Sequence, residues 1–367
     1  MFRPVKERDL EPLYLLSQAT QPGLTSIPKT KALWKKRIEE SLTINHTSSS
    51  NKKGNWYTFV LEHKEKKEII GTASILDSVA CDNPLYVYQI QQNMMISKKL
   101  HIQQQLRKLH PKKIQKGPTE LGALWLNPKY RGLGLGRFMT VARLIFICQH
   151  KKKFQSTILA EMRGYLDHKG QSPFWEHIGQ KLYGIPYVIA DQLAAKDRTF
   201  IEELLPKMPI IIELLPQLVQ QCIGRCHPLT KAAYQILCSE GFELTRSVDV
   251  CDGGPKLIAK TNNIRVLKEL KKYGIKQTKE KEARPSNKDA LWVLSKGLNH
   301  KFVVQLALLQ KIKNQLRINS KDVRILDLKE ESDVMAIKLY IKNTQDTFNQ
   351  EFWTCYQNAA SLFKTIG

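Results

Sequence analysis

The chain has 367 residues, 42% of them hydrophobic, and 58 lysines and arginines against 34 aspartates and glutamates, a formal net charge of +24. That length and apolar share suit a soluble globular protein of two or three units with a sizeable buried core. No apolar run approaches the roughly 20 residues of a membrane span, and Met1-Phe2-Arg3-Pro4-Val5-Lys6 lacks a signal-peptide core, so a cytoplasmic location without membrane attachment is expected. Seven cysteines without a framework suit reduced thiols rather than disulfides. The basic residues fall in separate clusters, Lys35 to Arg37, Lys98 to Lys116, Lys151 to Lys153 and Lys268 to Lys281, and none reads as a DNA- or RNA-binding element. A solvated basic surface is therefore expected in place of a nucleic-acid partner.

In chain order, a short first strand leads into a helix from Val5 to Gln18, and Trp34 to Thr43 reads as a second helix. His46 to Asn55 is polar and reads as a loop. Trp56 to Glu62 and Ile69 to Val79 read as a β-hairpin across the charged turn His63 to Glu68. Residues 93 to 117 are basic with little periodicity and read as irregular. Leu121 to Leu126 is a strand, 127 to 136 a loop, 137 to 149 a helix, and Thr157 to Met162 a strand. Helices follow at Pro173 to Leu182, Phe200 to Leu205 and Thr230 to Glu240, the last closed by Gly241 as a C-cap, with a strand at Phe242 to Val250. Charged residues 275 to 288, with Pro285, read as a linker. Ala290 to Leu294, Phe302 to Leu309 and Asp322 to Leu328 suggest a small β-rich unit, and residues 329 to 367 form a partly helical tail. The expected units are thus 1–165, 166–274, the linker 275–288, 289–328 and the tail 329–367.

The most informative stretch is Arg131-Gly132-Leu133-Gly134-Leu135-Gly136-Arg137, between a strand and a helix. Glycines there let backbone N–H groups approach phosphate oxygens, and the following helix turns its positive end toward the anion. A P-loop would need Gly-Lys-Ser/Thr and a dinucleotide turn a third glycine three residues past the second; neither occurs. The remaining Arg-x-x-Gly-x-Gly spacing, Arg131, Gly134 and Gly136, resembles the CoA loop of GNAT-type N-acyltransferases. With the helix-helix-strand-strand-strand-helix-strand order, the expected fold is α+β. It comprises a GNAT-like acyltransferase core with a mixed β-sheet flanked by helices, a second α/β half completing the active site, and the small β-rich C-terminal unit.

Six further segments sharpen the resemblance: Gly23-Leu24-Thr25-Ser26-Ile27-Pro28, Ala160-Glu161-Met162-Arg163-Gly164, Ser172-Pro173-Phe174-Trp175, Phe200 to Lys207, Ile223 to Pro228, and Asp252-Gly253-Gly254-Pro255. Their order resembles the bacterial arginine N-succinyltransferase family, strongly over residues 1 to 260 and weakly over 285 to 328. The resemblance implies transfer of succinyl from succinyl-CoA to the α-amine of L-arginine, the first step of the succinyl pathway of arginine catabolism, with succinyl-CoA as co-substrate.

Candidate site residues follow. Leu124, on the matched Glu-Leu-x-x-Leu pattern, is the position that the resemblance assigns to succinyl-CoA; a buried strand leucine is the plainer reading, and both can hold. With Leu124, the CoA set is Leu126, Arg131, Gly132, Gly134, Gly136 and Arg137. His227 is carried over as proton donor, and a histidine titrating near neutrality suits proton transfer; capping the next helix is its alternative role. Cys222, Cys226 and His227 lack a second ligand pair, so no metal is expected. Glu161 and Arg163 share a strand face, suited to the guanidinium and the succinyl carboxylate respectively, or else form a mutual or surface ion pair. Asp252 is a second guanidinium candidate, in a glycine turn that would expose its carboxylate, or an Asx-turn residue.

The chain also departs from the family pattern. Its loop begins Arg-Gly where Arg-Lys is familiar, Gly184-Ile185-Pro186-Tyr187 replaces a Met-Asp-Phe-like run, and residues 93 to 117 hardly match. Other acyl donors, and ornithine, agmatine or another basic amine as acceptor, therefore stay open, as do a non-enzymatic basic binding protein and a homo-oligomer.

Overall fold

The structure, a computed structural model, describes residues 1–20, 24–46, 54–81, 83–196, 199–278, 290–297, 301–319 and 333–339. Strand β1 (Phe2–Pro4) precedes helices α1 (Leu10–Gln18) and α2 (Lys31–His46). The first helix begins later than its periodicity suggests, because Glu7–Asp9 forms a 3₁₀ turn. The Asp9 carboxylate there accepts the Lys6 N–H at 2.7 Å and pairs with Arg3. Most of the anticipated polar loop, 47–53, lies outside the described residues, as does Gly23.

Strands β2 (Trp56–His63) and β3 (Glu68–Leu76) form the anticipated hairpin. Its alternation feeds two cores: Tyr57, Phe59 and Leu61 enter the central cluster, while Val60 joins Leu13, Trp34 and Ile38 beneath α1 and α2. Next come β4 (Leu85–Ser97) and β5 (Ile102–Ile114), paired in unbroken register from Leu85↔Ile114 to Ser97↔Ile102. This corrects the irregular reading of 93–117. Only the base of β4, Leu85 to Tyr88, is buried; from Gln91 to Ile96 both faces are exposed, so no period-2 pattern marks the strand. The hairpin thus interrupts the anticipated element order before β6 (Thr119–Leu126), α3 (Leu135–Gln149) and β7 (Thr157–Glu161).

In the second half a π-helical turn, Trp175–Gly179, runs into α4 (Gln180–Tyr183). Helix α5 (Tyr187–Lys196), which periodicity did not reveal, is followed by α6 (Thr199–Leu204), strand β8 (Ile210–Ile211), α7 (Gln217–Cys222) and α8 (Lys231–Ser239). Gly241, at φ +98°, ends α8 as expected. Strands β9 (Glu243–Asp249) and β10 (Pro255–Lys260) and helix α9 (Arg265–Glu269) complete it. The sheet runs β1-β2-β3-β6-β7-β10-β9-β4-β5-β8, and along it only the β6–β7 pair is parallel.

The anticipated linker is in part a strand, β11 (Lys271–Thr278), and 279–289 lie outside the described residues. Strands β12 (Ala290–Lys296), β13 (Val303–Ile312), β14 (Gln315–Asn319) and β15 (Asp333–Lys338) follow. The segment Asp322 to Leu328 falls outside the described residues, and the part of the anticipated tail that is described is β15. The order β12-β15-β11-β14-β13, with β12 also paired to β13, closes a five-stranded barrel. Trp292 and Leu294 fill its interior with Tyr273, Ile275, Leu316 and Ala336, whereas Val293 and Ile337 turn outward into the central core. Phe302 locks the two together: its ring lies 4.9 Å from Phe146 of α3, edge-on. Among the described residues no helix is long and apolar enough to cross a membrane.

Candidate active site

The site begins where two strands part. β6 and β7 pair only at Thr119↔Ile158 and Glu120↔Leu159; beyond Glu120, β7 stays with β10 through Lys256↔Glu161. β6 instead bulges between Ser74↔Gly122 and Thr72↔Trp125, with Ala123 at φ +50°, a conformation that strains a residue bearing a Cβ. Ser26 Oγ accepts the Ala123 N–H at 2.9 Å, and the Gly122 carbonyl accepts from Arg143 Nη1 at 3.2 Å, so both polar groups of the bulge are held from outside the sheet. A cavity of about 950 Å³ opens at this fork, lined by Leu121 to Leu124 on one arm and Ala160 to Arg163 on the other.

The glycine loop precedes α3. Gly132 and Gly134 sit at φ +81° and +71°, and a Cβ built on Gly136 would meet nothing within 4 Å. Arg131 N–H reaches Pro128 O and Phe138 N–H reaches Gly134 O; between them, among the described residues, the amides have no backbone acceptor. This is an open row of donors at a helix start. Arg131 Nε donates to Leu126 O at 3.1 Å and so holds the loop against the end of β6. Arg137 donates to Ser239 Oγ at 2.7 Å and lies 3.5 Å from the fully buried Glu240, which also binds Arg265; its guanidinium ties α3 to α8. Leu126 is buried in the central core, and of the expected CoA residues Leu124 lines the cavity.

His227 follows a bridge between Cys226 and Gly164, and its N–H donates to Arg163 O at 2.8 Å, which stations it at the exit of β7. Its Nδ1 accepts the Leu229 N–H at 3.2 Å, so it does cap the turn Pro228–Thr230. A neutral ring that accepts at Nδ1 carries its proton on Nε2. Partial burial and the Arg163 charge push its pKa below the ordinary value, which favours that neutral form. His227 does not line the cavity; Arg163 and Thr230, bonded to it on either side, do.

Glu161 is one-fifth exposed and ion-paired within the fold. Its carboxylate binds Lys256 Nζ, which also lies 3.5 Å from Asp249 Oδ2. Two carboxylates thus share one buried ammonium on a wall where Glu161 and Asp249 both line the cavity. The Arg163 guanidinium stands on the same side, its pKa pulled down by burial against the opposing charges of Asp252 and Asp191. Asp252 corrects an expectation: its carboxylate is buried, not exposed. Oδ2 accepts the Gly164 N–H at 2.7 Å and Oδ1 the Gly254 N–H at 2.8 Å, the second being the Asx-turn reading. A Cβ on Gly164 would stand 2.2 Å from Asp252 O, so this close approach requires glycine. Burial first, and Asp249 second, raise the Asp252 pKa to about 7.

Among the residues that sequence reasoning missed are two arginines of the cavity. Arg143 is the one charge among ten consecutive buried residues of α3, Phe138 to Ile147, and that isolation was a legible signal. Arg37, on α2, stacks 4.0 Å above the Trp56 ring; a cation in a basic run beside buried Ile38 gave no comparable sign.

Known proteins share the sequence and the fold of this chain. The family model for the arginine N-succinyltransferase beta subunit matches residues 1–266, ending just before the barrel. An arginine N-succinyltransferase of Yersinia pestis (strain Pestoides F) is 30% identical over 352 residues, 94% of this chain and 99% of that protein. One of Photorhabdus laumondii is 32% identical over 347 residues, 93% and 99% of the two chains. The solved structure of arginine/ornithine succinyltransferase subunit AI from Pseudomonas aeruginosa superposes with a TM-score of 0.82 at 23% identity, covering 93% of this chain and 98% of that one; it establishes the mixed α/β fold. By its sequence along nearly its whole length, the chain belongs to the arginine N-succinyltransferase family of acyltransferase enzymes.

Proposed function

We propose that this chain transfers the succinyl group of succinyl-CoA to the α-amine of L-arginine, giving N2-succinylarginine and CoA, as a cytoplasmic enzyme built on a GNAT-like core. The observation that carries this reading is the fork of β6 and β7 over a cavity with cationic and anionic walls. Pantetheine takes the backbone of Leu124 where β7 has left it. The pyrophosphate meets the open amides between Gly132 and Gly136, and Arg131 keeps that loop in register. The thioester carbonyl then lies at the bulge. The guanidinium of the acceptor faces Glu161 and Asp249, which share Lys256, and Arg163, expected from the sequence to take the succinyl carboxylate, takes the acceptor's α-carboxylate instead.

The neutral amine attacks the thioester carbon, a C–N bond forms and the C–S bond breaks. The proton that the new amide nitrogen sheds passes to the departing thiolate, and the neutral His227 ring, donating Nε2–H to the sulfur, stabilises the charge that develops there. The Arg163 carbonyl holds the His227 backbone and the Leu229 amide holds the ring.

The test is thiol release from succinyl-CoA with L-arginine, with L-ornithine and without amine, in the intact protein and in His227→Ala. Arginine-dependent release that falls about 10²- to 10⁴-fold in the variant is the expected result. Tight CoA binding with no turnover on either amine would keep the acyltransferase fold and discard the acceptor; faster turnover on ornithine would reassign it.

A further inference from the structure

The reaction as derived leaves one buried charge unused. Arg143 is 3% exposed, in the middle of a helix stretch that is otherwise uncharged, and it lines the cavity. Its Nη1 reaches two backbone carbonyls at long range, Ser74 O at 3.3 Å and Gly122 O at 3.2 Å, and among the described residues its Nε has no partner. No carboxylate of the described residues lies within ion-pair distance of it. An uncompensated guanidinium in such a site is strongly unfavourable unless something else brings the negative charge.

We propose that Arg143 is the subsite for the distal carboxylate of the acyl group, and so selects a dicarboxylic acyl-CoA over a neutral one. The inference rests on the acyl-CoA reading of the cavity and names the residue that chooses among acyl donors. Three points support it. The bulge carbonyl of Gly122, two residues before Leu124, is itself bonded to Arg143, so the guanidinium adjoins the position given to the thioester. The carboxylate carbon of a succinyl group is three single bonds from its thioester carbon, about 4 Å when extended. A cation that serves it must therefore touch the bulge. The other cavity arginines are already engaged: Arg37 stacks on Trp56, donates to Ser26 O and feels Glu40 and Glu120, while Arg163 stands beside Asp191 and Asp252. Arg143 feels only Glu120 against its burial. A carboxylate in the cavity would meet the guanidinium with a charge-assisted hydrogen bond and compensate its buried charge.

The experiment compares succinyl-CoA with butyryl-CoA, which has a methyl in place of the carboxylate, by calorimetric titration of the intact chain and two variants. The natural sequence is expected to bind succinyl-CoA about 10-fold or more tightly, the range of a desolvated charge-assisted pair. Arg143→Gln should bring the two dissociation constants together by weakening succinyl-CoA alone. Thr140→Asp, one turn earlier and on the same cavity, leaves Arg143 in the chain but gives it an internal counter-ion at i, i+3; it should also erase the preference. The second variant keeps the test open if Arg143→Gln does not fold. Equal binding of both thioesters by the natural sequence overturns the subsite, as does a preference that survives both substitutions. A protein that keeps the predicted preference yet leaves arginine unmodified sinks the proposed acceptor instead. Transfer to arginine with an unaltered ratio in both variants sinks the subsite alone.

Discussion

Arg3 and Arg143 are equally buried, each 3% exposed, yet their surroundings are opposite. Arg3 Nε meets Glu62 Oε2 at 2.6 Å, and its two terminal nitrogens meet the Asp9 carboxylate at 2.7 and 2.9 Å. Burial lowers its pKa, but those hydrogen bonds outweigh burial and hold it above the ordinary value. For Arg143 burial has only the Glu120 field against it, and the pKa falls to about 9, still high enough to keep the guanidinium charged at neutrality. The difference separates two uses of a buried charge. Around Arg3 the chain supplies every partner and fastens β1 to β2 and the 3₁₀ turn. Around Arg143 the chain supplies two carbonyls and leaves the anion to come from outside.

Removing each side chain should break the two regions unequally. Arg3→Met strands two buried carboxylates, so a loss of about 3–5 kcal/mol in unfolding free energy is expected. Arg143→Met strands no carboxylate, and the relief of a desolvated charge offsets the lost carbonyl contacts, so a change within about 1 kcal/mol is expected. Urea denaturation of both variants without ligand is the measurement. A loss at Arg143 as large as that at Arg3 would make it a structural clamp and remove the reason to seek its anion among substrates.

Asp252 offers the next contrast, because its partners too belong to the chain. Asp252→Asn replaces an acceptor with an amide that cannot take both the Gly164 and Gly254 N–H groups, for a loss of about 1–3 kcal/mol. Its folded pKa, about 7, lies above the ordinary 3.8, so the folded state holds a proton that the unfolded state has lost. The stability this contributes is present below about pH 4 and disappears as pH rises through 7. Denaturation midpoints at pH 5 and pH 7.5 should therefore differ less in Asp252→Asn than in the natural sequence. The Michaelis constant for arginine should move by less than about threefold, since Asp252, though on the cavity wall, spends both carboxylate oxygens on the Gly164 and Gly254 N–H groups.

These contrasts also explain what the sequence could reveal. The β2–β3 hairpin, the strand, loop and helix around Gly134, and the end of α8 at Gly241 were legible, because local alternation and turn chemistry decide them. The outer half of β4 and β5 was not: it is held by its ladder alone, and no buried face imprints a period on it. Long-range pairing hid the rest. Nothing near Glu161 announces that Lys256, 95 residues away, will occupy its carboxylate. The two glycines after Asp252 suggested exposure, but they let that turn fold down onto Gly164. His227 was readable as both cap and proton carrier; its hydrogen bond shows the cap, which leaves a proton on Nε2.

The smallest expected effect on stability tests the same distinction in a neutral setting. Among the described residues the amides between Gly132 and Gly136 have no backbone acceptor, and Gly136 has open space where a Cβ would stand. Its φ is not among the positive ones, so alanine fits the first turn of α3 without strain. Gly136→Ala should therefore stabilise the fold slightly, by about 0.5–1 kcal/mol, through the lower entropy of the unfolded chain. The added methyl would stand in the path of the pyrophosphate, and CoA thioesters should bind about 10-fold more weakly, an effect of roughly 1.4 kcal/mol in the opposite direction. Thermal unfolding and thioester titration on one sample read both signs. A stabilised variant with unchanged thioester affinity would move the pyrophosphate away from this loop, and Gly132 and Gly134 would then serve only to turn the chain from β6 into α3.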